Sequence, residues 1–499
     1  MSSISHIPIR TQHTDLDGTL VRGLAWTVGV KWAAQLIAWA STLIVARLLT
    51  PDDYGLVGMA TVLLGLANLI SEFGVGTTVI TLRDLSEHEI AQLNGFAILL
   101  GQAAFALSCL AAVPLGIFFK SPRLPWVVVA MSTTFIISSF QSIPAALLQK
   151  DLKFKLISLV DGTKSSAMAI GAVLFAVAGM RYWTLVFAGI LSSVLGTGLI
   201  LAQRRHRIAW PRPNTLRHVL LFSWHVLGSR ISWYAYSNAD FIVSGRILGQ
   251  WALGSYTVAW NLATVPVEKV TGVLNSVTPA LFSAVQNDRA ALRRYMLSLV
   301  QGVALITLPL SIGLGLVTRE FVLVALGTKW DSAIAPLRFL AFYASIRSLT
   351  PIIWAILNVV GESRYNMWSS VAMAIVLPCS FVLGSHWGNA GIAAAWMIGF
   401  PLVALPVCVR VFHRIELRWS EFFRVLLPAV TGCIFMSLVV LTLKQVFPAA
   451  YSLPLRLGLQ VLAGVTVYVL VAGGLSFRRR HALLRGLQLL RTPSASSAV

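Results

Sequence analysis

Ten ionisable side chains stand inside stretches otherwise apolar enough to cross a membrane: Lys31, Lys164, Arg230, Lys269, Arg338 and Arg347, with Glu72, Asp161, Asp240 and Glu268. A charge facing lipid costs several kcal/mol, whereas one lining a wet cavity or paired with an opposite charge costs little, so such residues mark either a substrate path or a structural network. Lys31 and Arg230 lie on the order of 10–16 Å along their helices from the nearer end, at 1.5 Å per residue, too deep for easy escape to water. Cations held there suit an anionic group such as a phosphate-bearing head group; arginine binds it through two parallel hydrogen bonds and lysine as a compact charge.

The embedded ions sort by what surrounds them. Asp161 and Lys164 are one helical turn apart and read as an internal pair. Arg338 is close enough to a helix end to snorkel. Lys31, Arg230, Lys269 and Arg347 remain as candidate ligands for an anion, and Glu72 and Asp240 as acids for coupling or charge balance. Lys31 shares a face with Gln35 and Thr42; His225, Ser229, Ser232, Tyr236 and Asp240 form a polar stripe on another helix. Neutralisation of Lys31 and Arg230 within a structural network is the competing reading. Trp39, Tyr234 and Tyr236 either line the route of a sugar or anchor at the membrane interface.

The elements that position these residues are repeated. A shift of one fixed offset pairs Gly29 with Gly228, Lys31 with Arg230, Leu43 with Ile242, Arg47 with Arg246, Leu49 with Leu248, Gly55 with Gly254 and Ala60 with Ala259. Glycines, cations and aliphatics matching in one register indicate an internal duplication. Arg47 and Arg246 end their helices, where a cation either complements the macrodipole or serves as an outer gate. A second echo relates Asp151-Leu152-Lys153-Phe154 to Glu362-Ser363-Arg364-Tyr365 and reads, residue by residue, as a solvated turn with an interfacial aromatic.

Composition agrees with a membrane body. The chain is 57% hydrophobic and 11% charged, with mean hydropathy +0.78, which excludes a water-soluble domain. The pattern predicts an all-α polytopic protein of about 14 transmembrane helices, near 24–46, 54–80, 92–119, 125–148, 156–179, 182–202, 219–245, 252–275, 295–317, 334–358, 367–384, 390–411, 424–443 and 456–476. The duplication divides it into an N-terminal lobe at 1–210, a C-terminal lobe at 211–415, and a segment at 416–499 holding helices 13 and 14 and a basic tail. About a two-fold axis along the membrane normal, Lys31 and Arg230 are expected on opposite walls of a central cleft.

The net charge of +21 is spread over alternate loops, with a concentration at 203–218, and reads as a topology signal that leaves both termini cytoplasmic. It is not gathered into a nucleic-acid footprint. The basic tail at 478–491 places leucines against its arginines and is expected to lie as an amphipathic helix on anionic lipid. Cys109, Cys379, Cys408 and Cys433 are scattered through apolar segments, so no metal site or disulfide framework is expected. No nucleotide-binding, metal-ligating or nucleophilic motif stands in a credible context, and no cofactor is called for.

The stretch Val45-Ala46-Arg47-Leu48-Leu49-Thr50-Pro51-Asp52-Asp53-Tyr54-Gly55, followed by Ser71-Glu72-Phe73-Gly74-Val75-Gly76-Thr77 and later by Thr278-Pro279-Ala280-Leu281-Phe282-Ser283, resembles the polysaccharide-transport family of the multidrug/oligosaccharidyl-lipid/polysaccharide exporter superfamily, the Wzx-type flippases. The resemblance implies two six-helix lobes plus two helices, a cationic cavity, and translocation of undecaprenyl-diphosphate-linked oligosaccharide across the bacterial inner membrane for O-antigen, capsule or exopolysaccharide synthesis. It also implies a polysaccharide polymerase and a chain-length regulator as partners, besides membrane lipids. A multidrug exporter of the same superfamily calls for an acidic cavity, whereas here embedded cations outnumber acids; a lipid II flippase would share the cationic cavity. A membrane glycosyltransferase or polymerase calls for a long outer loop with catalytic acids, which the chain lacks.

Overall fold

A computed structural model describes residues 35, 37–72, 76, 79–80, 85–212, 231, 233–446 and 451–491. Among these the chain is helical without strands. The helices are α1 (Ile37–Leu48), α2 (Pro51–Glu72), α3 (Glu87–Phe118), α4 (Leu124–Lys150), α5 (Phe154–Val177) and α6 (Trp183–Gln203), then α7 (Ala239–Val243), α8 (Gln250–Ala284) and α9 (Arg289–Ala325). There follow α10 (Ile334–Arg347), α11 (Thr350–Val359), α12 (Ser363–Gly384), α13 (Gly388–Arg414), α14 (Trp419–Val446) and α15 (Leu453–Arg491). Nine helical segments among the described residues are long and apolar enough to cross a membrane. The chain divides into two compact units, Met1–Tyr234 and Ala235–Val499.

Local chemistry explains the helix starts. Thr50 and Asp53 form a reciprocal cap at the head of α2: the Asp53 carboxylate accepts from the Thr50 backbone N–H at 3.0 Å and from its hydroxyl at 2.8 Å, and Pro51 takes the first-turn position whose N–H is not needed. Ser86 and Glu89 make the same box for α3, and Asp288 caps α9 by accepting from Ala291 N–H. At the repeat-related junction before α8 the solution differs. Gly249, in the place of Thr50, takes φ +90°, a region open to glycine at little cost.

The duplication is visible in burial and in contacts. Ala60 and its counterpart Ala259 are both fully enclosed, as are Gly55 and Gly254. Arg181, just ahead of α6, forms an ion pair with buried Asp53 at 3.6 Å; Asn389, at the head of α13, donates to the carbonyl of Ala252, the counterpart of Asp53, at 2.6 Å. Each unit thus ties the start of its second helix to the start of its sixth.

The second echo does more than the turn its sequence suggests. Asp151 pairs with Arg204 beyond α6, and Glu362 pairs with Arg410, at 3.1 Å, and with Arg414 at the end of α13. In both units the acid after the fourth helix of the repeat therefore holds arginine at the end of the sixth.

In the N-terminal unit, α3 and α4 approach so closely at Gly101 that a Cβ there would sit 2.4 Å from Ser139 Cβ, the small-residue contact that helix packing in lipid depends on. The basic connection after α6 is strapped to α3: Ala209 N–H donates to the Ala91 carbonyl at 3.0 Å, and Asn94 Nδ2 donates to the carbonyls of His206 and Arg207. In the C-terminal unit α14 and α15 pack on α9, where Tyr468 hydroxyl donates to the Leu305 carbonyl at 2.7 Å and Lys444 donates to Glu320 at 2.8 Å. The tail helix expected at 478–491 continues α15 without a break to Arg491.

The span expected at 334–358 is broken. Pro351 has no N–H to offer the Arg347 carbonyl four residues back, so α10 ends at Arg347 and α11 begins at Thr350, whose hydroxyl takes that carbonyl at 2.8 Å.

Candidate functional site

Four-residue spacing builds the site. On α8, Tyr256, Trp260, Thr264 and Glu268 follow one another at helical intervals near one face, and on α10 Tyr343 is followed four residues later by Arg347. Trp396 and Phe400 repeat the interval on α13. Packed together, these faces form an aromatic column: Trp260 lies 5.4 Å from Trp396 and 6.4 Å from Tyr343, Tyr343 stacks on Trp396 at 4.8 Å, and Phe400 meets Tyr343 edge-on at 5.4 Å.

Asp240 closes one end of the column and is fully buried. Its carboxylate accepts from Tyr256 hydroxyl at 2.7 Å, from Trp396 Nε1 at 2.9 Å and from Phe241 N–H at 3.0 Å. An indole N–H and a backbone N–H can only donate, so they suit an acceptor-only carboxylate. Among the described residues no cation lies within ion-pair distance of Asp240. Neutral donors therefore carry its solvation, each charge-assisted bond contributing about 1.5–3 kcal/mol.

Arg347 closes the other end. Its guanidinium stands 5.6 Å from the Trp260 ring centroid and donates through Nη1 to Glu268 at 3.0 Å. Both side chains are partly open, 32% for Arg347 and 48% for Glu268, so this ion pair contributes only about 0.2–1 kcal/mol and is exchangeable. The geometry is that of a cation parked on an aromatic face, with a weakly held counter-ion that a stronger anion can displace.

The structure brings Asp240 and Arg347 to opposite ends of one column, and it gives Arg347 a partner, Glu268, to which the sequence assigned no role. Lys31 and Arg230 lie outside the described residues, as do His225, Ser229 and Ser232. Glu72 ends α2 and Lys269 is on α8, but their side chains are likewise outside the described set. Arg47 lies exposed in the last turn of α1, and Arg246 exposed in the π-helical turn Ser244–Leu248. Tyr234 uses its hydroxyl to donate to the Val62 carbonyl at 2.8 Å, its ring against Gly65. Among the described residues no cluster of three or more His, Cys, Asp or Glu could hold a metal. Tyr256, Trp260, Tyr343 and Trp396 were missed at the sequence level; the signal was the four-residue interval linking aromatics to Glu268 and Arg347.

This helical architecture is that of known membrane transporters. Over 91% of this chain and 99% of the other it superposes on the lipid II flippase MurJ in an inward closed conformation, with TM-score 0.73 at 13% identity. It also matches an inward-facing multidrug-resistance MATE transporter of the MOP superfamily, with TM-score 0.64 and 14% identity over 77% of this chain and 94% of that one. The profile of the polysaccharide biosynthesis protein family matches residues 44–335, and the chain belongs to that family. Relatives include the lipopolysaccharide biosynthesis protein WzxC of Escherichia coli K12, 26% identical over 76% of this chain and 78% of that protein. The succinoglycan biosynthesis transport protein ExoT of Rhizobium meliloti is 24% identical over 76% of this chain and 77% of its own. The chain is thus a multi-pass membrane transport protein of polysaccharide biosynthesis and not one of its enzymes.

Proposed function

We propose that this protein flips undecaprenyl-diphosphate-linked oligosaccharide from the cytoplasmic to the periplasmic leaflet of a bacterial inner membrane, by alternating access, with both termini cytoplasmic. The observation that carries the reading is Arg347, a half-open guanidinium seated on Trp260 and held by an exchangeable carboxylate. A diphosphate oxygen pair offers that guanidinium two parallel hydrogen bonds in place of one from Glu268, so the lipid anion competes well for it. Release follows when Glu268 returns. Lys31, Arg230 and Lys269 are the other cations assigned to the diphosphate, on the strength of the sequence repeat and of their place inside apolar spans.

Asp240 is the acid assigned to coupling, with Glu72 as the second. Asp240 shares Trp396 and Tyr256 with the column that carries Trp260, so a change of charge at the carboxylate alters the packing on which Arg347 rests. Family relatives named for lipopolysaccharide and succinoglycan biosynthesis, and the likeness to a lipid II flippase fold, support a lipid-linked saccharide as cargo. The test is depletion of the protein in its host. Lipid-linked oligosaccharide accumulating on the cytoplasmic face supports the reading, and its normal appearance in the periplasm refutes it.

A further inference from the structure

The N-terminal unit holds a cavity of about 420 Å³ that the functional reading above does not use. Three helices line it with polar groups at helical spacing: Asn68 and Ser71 on α2, Ser138 with Gln141 and Ser142 on α4, and Asp161 and Lys164 on α5. Its volume falls among small-ligand clefts, roughly 300–1,000 Å³. The sequence alone pairs Asp161 with Lys164. In the structure neither has an ion-pair partner among the described residues, and the Lys164 stem lies across Gly196, where a Cβ would fall 2.4 Å from Lys164 Cδ.

A second observation concerns the same wall, where turning the Gln141 amide into the cavity would give its oxygen a hydroxyl partner. The Gln141 Oε1 atom is enclosed and has no hydrogen-bond partner among the described residues. An orphaned buried acceptor costs about 1–3 kcal/mol unless something fills it.

The lining states the chemistry of the occupant. One acid and one base leave it close to neutral, and Asp161 would repel a diphosphate that a lone Lys164 could not hold. Amides, hydroxyls and a carboxylate over an aliphatic floor that includes Leu148 and Val160 match a ring bearing many hydroxyl groups on an apolar face. We infer that this cavity is a carbohydrate subsite for one or two sugar rings of the transported head group, built in the N-terminal unit on α2, α4 and α5. The inference rests on the flippase reading and adds to it where the saccharide, as distinct from the diphosphate, is held.

The test uses the full chain with Cys109, Cys379, Cys408 and Cys433 replaced by Ala and Ser142→Cys as a reporter, in proteoliposomes. Thiol alkylation is timed with oligosaccharide freed from its lipid, or with undecaprenyl diphosphate carrying no sugar. Free oligosaccharide at about ten times its dissociation constant is expected to slow labelling about tenfold, and the sugarless diphosphate to leave it unchanged. Gln141→Leu removes the orphaned acceptor with little change of shape, so the fold is unharmed or steadied while saccharide protection falls. Protection by the sugarless diphosphate, none by saccharide, or full protection in Gln141→Leu overturns the subsite. The same vesicles assayed for transport separate the two readings: transport without protection sinks the subsite alone, and protection without transport sinks the flippase reading.

Discussion

Arg347 rests over the face of Trp260, 5.6 Å from guanidinium carbon to ring centroid, and four residues after Tyr343, which stacks on Trp396. The cation is therefore positioned by aromatic packing more than by its counter-ion, because the Glu268 bond is half-open to solvent. Truncation to Arg347→Gln removes charge and fork together, and transport of lipid-linked oligosaccharide should fall at least tenfold at equal insertion; Arg347→Lys should retain part of it. Rates measured in vesicles decide this, and an Arg347→Gln variant at the unmodified rate removes Arg347 from the path.

Glu268→Gln has the opposite expected sign. It removes the competitor while leaving Arg347 on its ring, so binding of the diphosphate carrier should tighten by up to about fivefold, the equivalent of a pair contributing about 0.2–1 kcal/mol. Weaker binding in a titration of the purified variant would contradict the exchange model.

Much of this was legible in the sequence. The all-helical membrane body follows from apolar run length, which the bilayer enforces on any spanning helix, and the register that pairs Arg47 with Arg246 follows from the repeat. Asp240 stood out because a buried acid inside a span is costly. Its partners did not, because Tyr256 and Trp396 are ordinary core residues in a linear reading and are separated by 140 positions. The interruption after Arg347 was written in Pro351, whose missing N–H leaves the Arg347 carbonyl without its backbone donor.

Trp396→Phe keeps the ring packing and deletes the donor to Asp240. The carboxylate then lacks one of three donors inside an apolar unit, at a cost of about 1–3 kcal/mol. A lowered thermal unfolding midpoint of the purified protein is the expected readout, and Asp240→Asn should offset much of that loss in the double variant. An unchanged midpoint in Trp396→Phe would show that the bond carries no stability.

Acid should loosen the clasp at Glu362. Partial desolvation pushes that carboxyl up, but hydrogen bonds and charge from Arg414 and Arg410 outweigh it and hold the group below the ordinary glutamate value. A depressed folded-state value means the stabilisation is complete above the unfolded-state pKa and is lost as pH falls through the folded-state one. Wild type should therefore be more stable than Glu362→Gln at neutral pH, with the gap closing below about pH 4. A gap that persists or widens in acid reverses the assigned sign.

The basic connection at 203–214 should face the cytoplasm, since Arg204, Arg205, Arg207 and Arg212 concentrate there and Arg204 is clasped by Asp151. A cysteine placed at Ile208, which is exposed, should resist a membrane-impermeant thiol reagent added to intact spheroplasts and react after lysis. Labelling before lysis inverts the topology.

The central claim is that this chain moves a lipid-linked saccharide across a bilayer. Purified protein reconstituted with undecaprenyl-diphosphate-linked oligosaccharide from its host, followed by accessibility of the sugar to an added glycosidase, measures that movement directly. The account predicts time-dependent transfer above protein-free vesicles, reduced in Arg347→Gln. Transfer no faster than in protein-free vesicles, with the protein folded and inserted, would contradict it.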